Sequence, residues 1–201
     1  MTAQEVRYEA PTWSQIYSML LEQSEKICKS GFKPDVIVGV CRGGWLPARV
    51  LSDLLENTHL ANVKAEGYLG IGEAKGLPSL TQCLSADVAG KTVLVVDEVA
   101  DSGRSLKLVT NHVYTQGARE VKTATVYYKR CCAFKPDFYE AETDCWVVFP
   151  WEIKETLREI LDAYKTDAAK TEEEIAKIVA AGVSKRLITR FLKEFSEAKV
   201  C

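Results

Sequence analysis

Lys91-Thr92-Val93-Leu94-Val95-Val96 runs without a break into Asp97-Glu98. An apolar run this short and this rich in β-branched residues predicts a strand buried on both faces. Two carboxylates at its C-terminal end are costly there unless a ligand or a metal meets them. The same pattern recurs along the chain. Asp35–Val40, Val63–Leu69, Val121–Tyr128 and Cys145–Phe149 are further strand candidates. Helical spacing lies between them. Thr12 precedes Trp13, Ile16, Tyr17, Leu20 and Leu21, and Gly31 closes that run. A second helix begins near Trp45, with Pro47 in its first turn, and ends near Glu56. A third spans Leu106–Gln116 and stops at Gly117. This alternation predicts an α/β fold with a mainly parallel sheet flanked by helices. Right-handed crossovers would gather the loops at 41–44, 98–105 and 129–133 at one edge, where such folds bind ligands.

Beyond Trp151 the strand signal stops. Helical patterns cover 152–164, 171–181 and 184–197, broken by Gly182, and Thr171-Glu172-Glu173-Glu174 resembles a capping box. The expected division is therefore a main domain at 1–151 and a helical extension at 152–201. Segment 67–82, with its clustered glycines and Pro78, reads as a loop. Gly90-Lys91-Thr92 is not a phosphate-binding P-loop, because Ser85 stands where that motif needs glycine and a strand follows instead of preceding it.

Charge excludes some functions. Twenty-six basic residues against 28 acidic ones give a net charge of −2, so a generally basic nucleic-acid surface is not expected. No apolar run approaches the roughly 18 residues that cross a bilayer, so no membrane partner is expected. Met1–Pro11 is polar and lacks a signal or transit pattern, which places the expected site of action in the cytoplasm. Seven cysteines without a C-x-x-C, beside two histidines, offer little to zinc and read as reduced thiols.

The chemistry concentrates after the clearest strand. Asp101 follows Asp97 by four residues, and Ser102-Gly103-Arg104-Ser105 opens a helix. The glycine lets backbone approach a ligand, and free N–H groups beside two hydroxyls favour a phosphate. Acids for sugar hydroxyls or a metal, next to an amide cradle, suit a phosphorylated sugar. Val93 to Ser105 resembles the signature of the type I phosphoribosyltransferases at all thirteen positions: four apolar residues, two acids, two apolar residues, then Asp-Thr/Ser-Gly-x-Thr/Ser. The resemblance implies that family's fold and a site for 5-phosphoribosyl-1-pyrophosphate. It implies that Asp97 and Glu98 hold the ribose hydroxyls directly or through Mg2+. It also implies that Asp101, Ser102, Gly103, Arg104 and Ser105 wrap the 5′-phosphate, with Arg104 contributing only its N–H. Asp101 would in addition assist proton transfer at the base and is the candidate catalytic residue.

Gly39-Val40-Cys41-Arg42-Gly43-Gly44 resembles the family's pyrophosphate loop, which often contains a non-proline cis peptide. Arg42 and Gly43 would face the pyrophosphate. Cys41 stands where serine is common. Lys129, followed by Trp146 and Val147, resembles the 6-oxopurine branch, in its xanthine-guanine and hypoxanthine-guanine forms. There lysine donates to O6, the aromatic ring stacks on the base and a backbone carbonyl just after it reads the 2-position. Lysine is only a donor and favours a 6-oxo over a 6-amino group. The resemblance covers about residues 12–152 and implies a purine-salvage phosphoribosyltransferase acting as a homodimer or homotetramer. It also implies that loop 67–82 closes over the site. A second reading remains open, a regulator of the same fold that senses phosphoribosyl pyrophosphate. Lys185-Arg186-Leu187-Ile188-Thr189-Arg190 would then lie on the second helix of a nucleic-acid-binding hairpin. The acids at 172–174 favour a packing or dimer-contact hairpin instead.

Overall fold

In the computed structural model, which describes residues 6–66 and 78–197, strands and helices alternate as the pattern requires. The described residues form two compact units. The first, 14–66 and 78–143, holds a six-stranded sheet in the order β4-β3-β2-β5-β6-β7. Its strands are β2 (Val36–Cys41), β3 (Leu60–Glu66), β4 (Ser79–Gln82), β5 (Thr92–Ala100), β6 (Glu120–Tyr128) and β7 (Phe138–Glu142). All neighbours are parallel except β3 and β4.

Both faces of the sheet are covered. Val36, Val38, Val63, Val93 and Val95 share a core with Leu106, Val109 and Val113 of α3 (Arg104–Thr115). Their alternates Ile37 and Leu94 are equally buried and point to the opposite face. Helix α2 (Trp45–Leu54) lies on that second face, because a Cβ at Gly39 would meet Ala48 Cβ and Trp45 Cε3 at 3.0 Å. Helix α1 (Trp13–Lys29) is tied to β6 by a buried bond from Gln23 Nε2 to Thr125 O, 2.7 Å.

Two aspartates clip strand starts together. Thr92 N and Oγ1 each donate to Asp35 Oδ2 at 2.8 Å, joining β2 to β5. Thr123 N and Oγ1 donate to Asp137 Oδ2 at 2.7 and 2.8 Å, doing the same for β6 and β7.

The second unit, 6–13 and 144–197, contains a two-stranded parallel ribbon of β1 (Tyr8–Glu9) and β8 (Trp146–Val147). Helices α4 (Ile153–Ala163), α5 (Ala168–Ala180) and α6 (Lys185–Glu197) complete it. Val148, Leu157, Ile160, Ile178, Ile188 and Phe195 form its core.

Several elements differ from expectation. The strand expected over Cys145–Phe149 is short and pairs with β1, so the second unit begins at 144, before the expected boundary after Trp151. Strand β5 continues through Asp97 and Glu98 to Ala100, because its ladder with β6 extends to Tyr128. Strand β3 starts at Leu60, opposite Ile37, three positions before the expected Val63. Residues 79–82, read as loop, form the edge strand β4; its polar sequence hides a single inward residue, Leu80. The rest of that loop, 67–77, lies outside the described residues. Strand β7 was not expected at all. Helix α5 is capped by Asp167, whose Oδ1 accepts from Lys170 N at 2.9 Å, not by Thr171. The single Thr171 hydroxyl proton is instead shared between Tyr164 O and Asp167 O. No described helix is long and apolar enough to cross a membrane.

Candidate functional site

Strand β2 ends at Cys41, and the Cys41–Arg42 peptide is cis, as the resemblance implied. The turn through Gly44 lies flat on the end of β5. A Cβ at Gly44 would sit 2.6–2.7 Å from Val96 O, Asp97 Cα and Val40 O. A Cβ at Gly43 would overlap the Glu98 carboxylate. Glycine is thus required at both positions by close approach, and the turn and the acidic strand end form one piece.

Within that piece the two acids are tightly coupled. Asp97 is 8% exposed, and its Oδ1 accepts from Glu98 N at 3.0 Å. Glu98 Oε2 is shielded from solvent and has no hydrogen-bond partner. Burial, reinforced by the Asp97 charge, pushes the Glu98 carboxyl well above the usual carboxylate range, against the pull of Arg42. An orphaned carboxylate oxygen beside a second acid suits a sugar hydroxyl or a divalent cation. Among the described residues no cluster of three or more His, Cys, Asp or Glu side chains could cage a metal alone. A hard cation such as Mg2+ needs only one or two carboxylates when water and phosphate supply the other oxygens, so the pair fits it.

After Ala100 the chain turns through Asp101, Ser102 and Gly103. Gly103 has φ +75°, and a Cβ there would meet Cys132 Sγ at 2.5 Å and Phe134 Cβ at 2.8 Å. The turn is therefore pressed against the loop after β6, where Cys132 Sγ donates to Phe134 O at 3.1 Å. No side chain caps α3 in the usual way, and Arg104 N reaches Ser102 Oγ only at 3.4 Å. The first-turn amides at Arg104 and Ser105 thus sit at a helix N-terminus disposed to take an anion.

Lys129 follows β6 directly. Its N–H donates to Ala100 O at 2.9 Å, and its Nζ lies 3.1 Å from Asp101 Oδ1. The Lys129 side chain is 15% exposed and that of Asp101 35%. Sequence reasoning singled out both residues but not their pairing. Lys64 lies opposite Cys41 in the β2–β3 register and pairs with Glu66.

The sheet unit thus carries Arg42, Gly43, Asp97, Glu98, Asp101, Ser102, Gly103, Arg104, Ser105 and Lys129. Trp146 and Val147 belong to the second unit, on β8. Trp146 N donates to Arg7 O and Val148 N to Glu9 O, each at 2.7 Å. In a parallel ladder the residue between two such donors turns its own N–H and C=O away from the partner strand. The Val147 carbonyl therefore faces the side of β8 opposite β1.

Such a strand-end site on a doubly covered parallel sheet is that of a nucleotide-handling α/β protein. Residues 12–158 match the phosphoribosyl transferase domain, and the chain belongs to that family. It is similar to the hypoxanthine-guanine phosphoribosyltransferase of Schizosaccharomyces pombe, 26% identical over 72% of this chain and 88% of that protein. It is also similar to the orotate phosphoribosyltransferase of Pyrobaculum aerophilum, 32% identical over 73% of this chain and 70% of that one. Among solved structures, the purine phosphoribosyltransferase of Pyrococcus horikoshii superposes with a TM-score of 0.65 at 34% identity, covering 73% of this chain and 94% of that one. The expected fold and family are borne out.

Proposed function

We propose that the protein is a purine-salvage phosphoribosyltransferase. It moves the 5-phosphoribosyl group from phosphoribosyl pyrophosphate to N9 of a 6-oxopurine (guanine, hypoxanthine or xanthine) and releases pyrophosphate. The observation that carries this reading is the assembly on one strand end of three features: the Arg42–Gly44 turn on Glu98, the Gly103 turn on Cys132, and Lys129 on Asp101.

The reaction breaks the bond from ribose C1 to pyrophosphate and forms the bond to N9. Positive charge develops on the sugar and negative charge on the leaving group. Arg42 and the backbone amides around Gly43 face that departing charge. The amides and hydroxyls of Ser102–Ser105 hold the 5′-phosphate, and Asp97 and Glu98 the ribose hydroxyls. Mg2+, when bound at Asp97 and Glu98, supplies charge to the leaving pyrophosphate. Asp101 takes the proton that the purine gives up at N7. An ammonium carries three N–H groups, so Lys129 can keep Asp101 and still donate to O6. Trp146 stacks on the base and the Val147 carbonyl reads its 2-position, which holds N9 in line.

The nucleic-acid alternative has less behind it. On α6, Arg190 and Lys193 are paired with Glu194 and Glu197 of the same helix. We further propose a homodimer or homotetramer in the cytoplasm; sedimentation of the purified protein tests the assembly. The activity is tested by a spectrophotometric assay with phosphoribosyl pyrophosphate and Mg2+ against guanine, hypoxanthine, xanthine, adenine and orotate. Turnover of a 6-oxopurine with adenine and orotate silent is expected. Turnover of orotate alone would overturn the base class and leave the family intact. Lys129→Met should raise the purine KM about 10- to 100-fold, the scale of a lost charge-assisted hydrogen bond to a buried base, and leave the phosphoribosyl pyrophosphate KM nearly unchanged.

A further inference from the structure

Glu174 on α5 is 1% exposed. Among the described residues Glu174 and Asp97, the latter at the strand-end site, are the two acids buried as whole residues. Glu174 is held on every side. Tyr8 Oη donates to its Oε2 at 2.8 Å, and Lys177 and Lys170 lie 3.0 and 3.3 Å from its Oε1. A buried ionic cluster of this kind is a poor source of stability, since apolar side chains of the same volume would serve as well or better. Of its partners, Tyr8 is the one that lies on β1.

Tyr8 lies opposite Trp146 in the β1–β8 register, and the flanking residues Arg7 and Glu9 accept from Trp146 N and Val148 N. Tyr8 and Trp146 also pack against the same helical core. The α5–α6 turn closes on the same segment, for a Cβ at Gly182 would touch Ala10 O at 3.4 Å. We propose that the helical unit is a positioning element for base recognition: Glu174, through Tyr8, fixes β1, and β1 fixes the backbone of Trp146 and Val147. This rests on the reading of Trp146 and Val147 as purine contacts. Glu174 and Tyr8 are positioning residues and touch no substrate.

The test compares Tyr8→Phe and Glu174→Gln with the wild-type enzyme. Tyr8→Phe removes one hydroxyl and keeps the ring. The purine KM should rise about two- to tenfold, the range one hydrogen bond spans, with the phosphoribosyl pyrophosphate KM and kcat within about twofold. Glu174→Gln still accepts from Tyr8 and should keep the purine KM near wild type. Amide hydrogen exchange at Trp146 and Val148 should quicken in Tyr8→Phe and not in Glu174→Gln. A role in stability alone would lower the active fraction without splitting the two KM values. An unchanged purine KM in Tyr8→Phe, or a parallel rise in both, overturns the proposal. If the wild-type protein uses no purine, the functional reading fails by itself. Exchange at Trp146 and Val148 then decides whether Tyr8 and Glu174 hold β8, and unchanged exchange overturns the positioning role.

Discussion

At the residue scale, the site is built from contacts that leave no room. Gly43→Ala puts a methyl group into the Glu98 carboxylate, so either the turn or the acid must move. Displacement of about 1 Å at reacting groups costs on the order of 100-fold, and that loss is expected in kcat/KM for phosphoribosyl pyrophosphate, with the fold intact by circular dichroism. Glu98 gives a second expectation. Its carboxyl titrates above the usual range, so it favours the folded state while protonated, and that benefit is lost as pH rises through its folded pKa. Glu98→Gln should therefore abolish transfer yet raise the melting temperature. The gain should be small at acid pH and grow as pH rises, as thermal melts across pH would show. The acids, the glycines and Lys129 were legible because the motif spaces them along the chain. The Lys129–Asp101 pair was not, since only the β5–β6 register brings those residues together.

At the element scale, strands β2 and β5 announced themselves through unbroken apolar runs, because both of their faces are covered. Strands β1, β4 and β7 did not, for the converse reason. They are short or polar, and pairing with a longer neighbour makes them strands. The aspartate clips belong to this scale. Hydrogen bonds from the Thr92 backbone and then its hydroxyl hold the Asp35 carboxyl below its ordinary pKa. A depressed pKa means stability that is present above the ordinary carboxylate value and lost as pH falls through the depressed one. Asp35→Asn should therefore lower the melting temperature at pH 7, and the gap to wild type should close as pH falls below the ordinary carboxylate range, as followed by thermal melts across pH.

At the scale of the whole molecule, each unit carries its own core. The helical character of the tail was legible from its 3.6-residue periodicity. Its inclusion of residues 6–13 and 144–151 was not, because pairing between Tyr8 and Trp146 leaves no local trace. Leu157 is fully buried in the core of the second unit. Leu157→Ala should cost about 2–5 kcal/mol, seen as a lowered melting temperature. Protection of that variant by added phosphoribosyl pyrophosphate should match wild type, since its proposed ligands lie in the sheet unit.

The outer strand β7 places Glu140 with its side chain only 3% exposed, tied to Lys26 of α1 at 2.6 Å. An open sheet margin invites the strand of another chain, and a fixed charge pair beside it is a common way to refuse one. A visiting strand would have to bury Lys26, half of which still faces water, along with the acid it guards. The expected consequence of that bond is resistance to edge-to-edge association of the sheet, separate from the handling of any substrate.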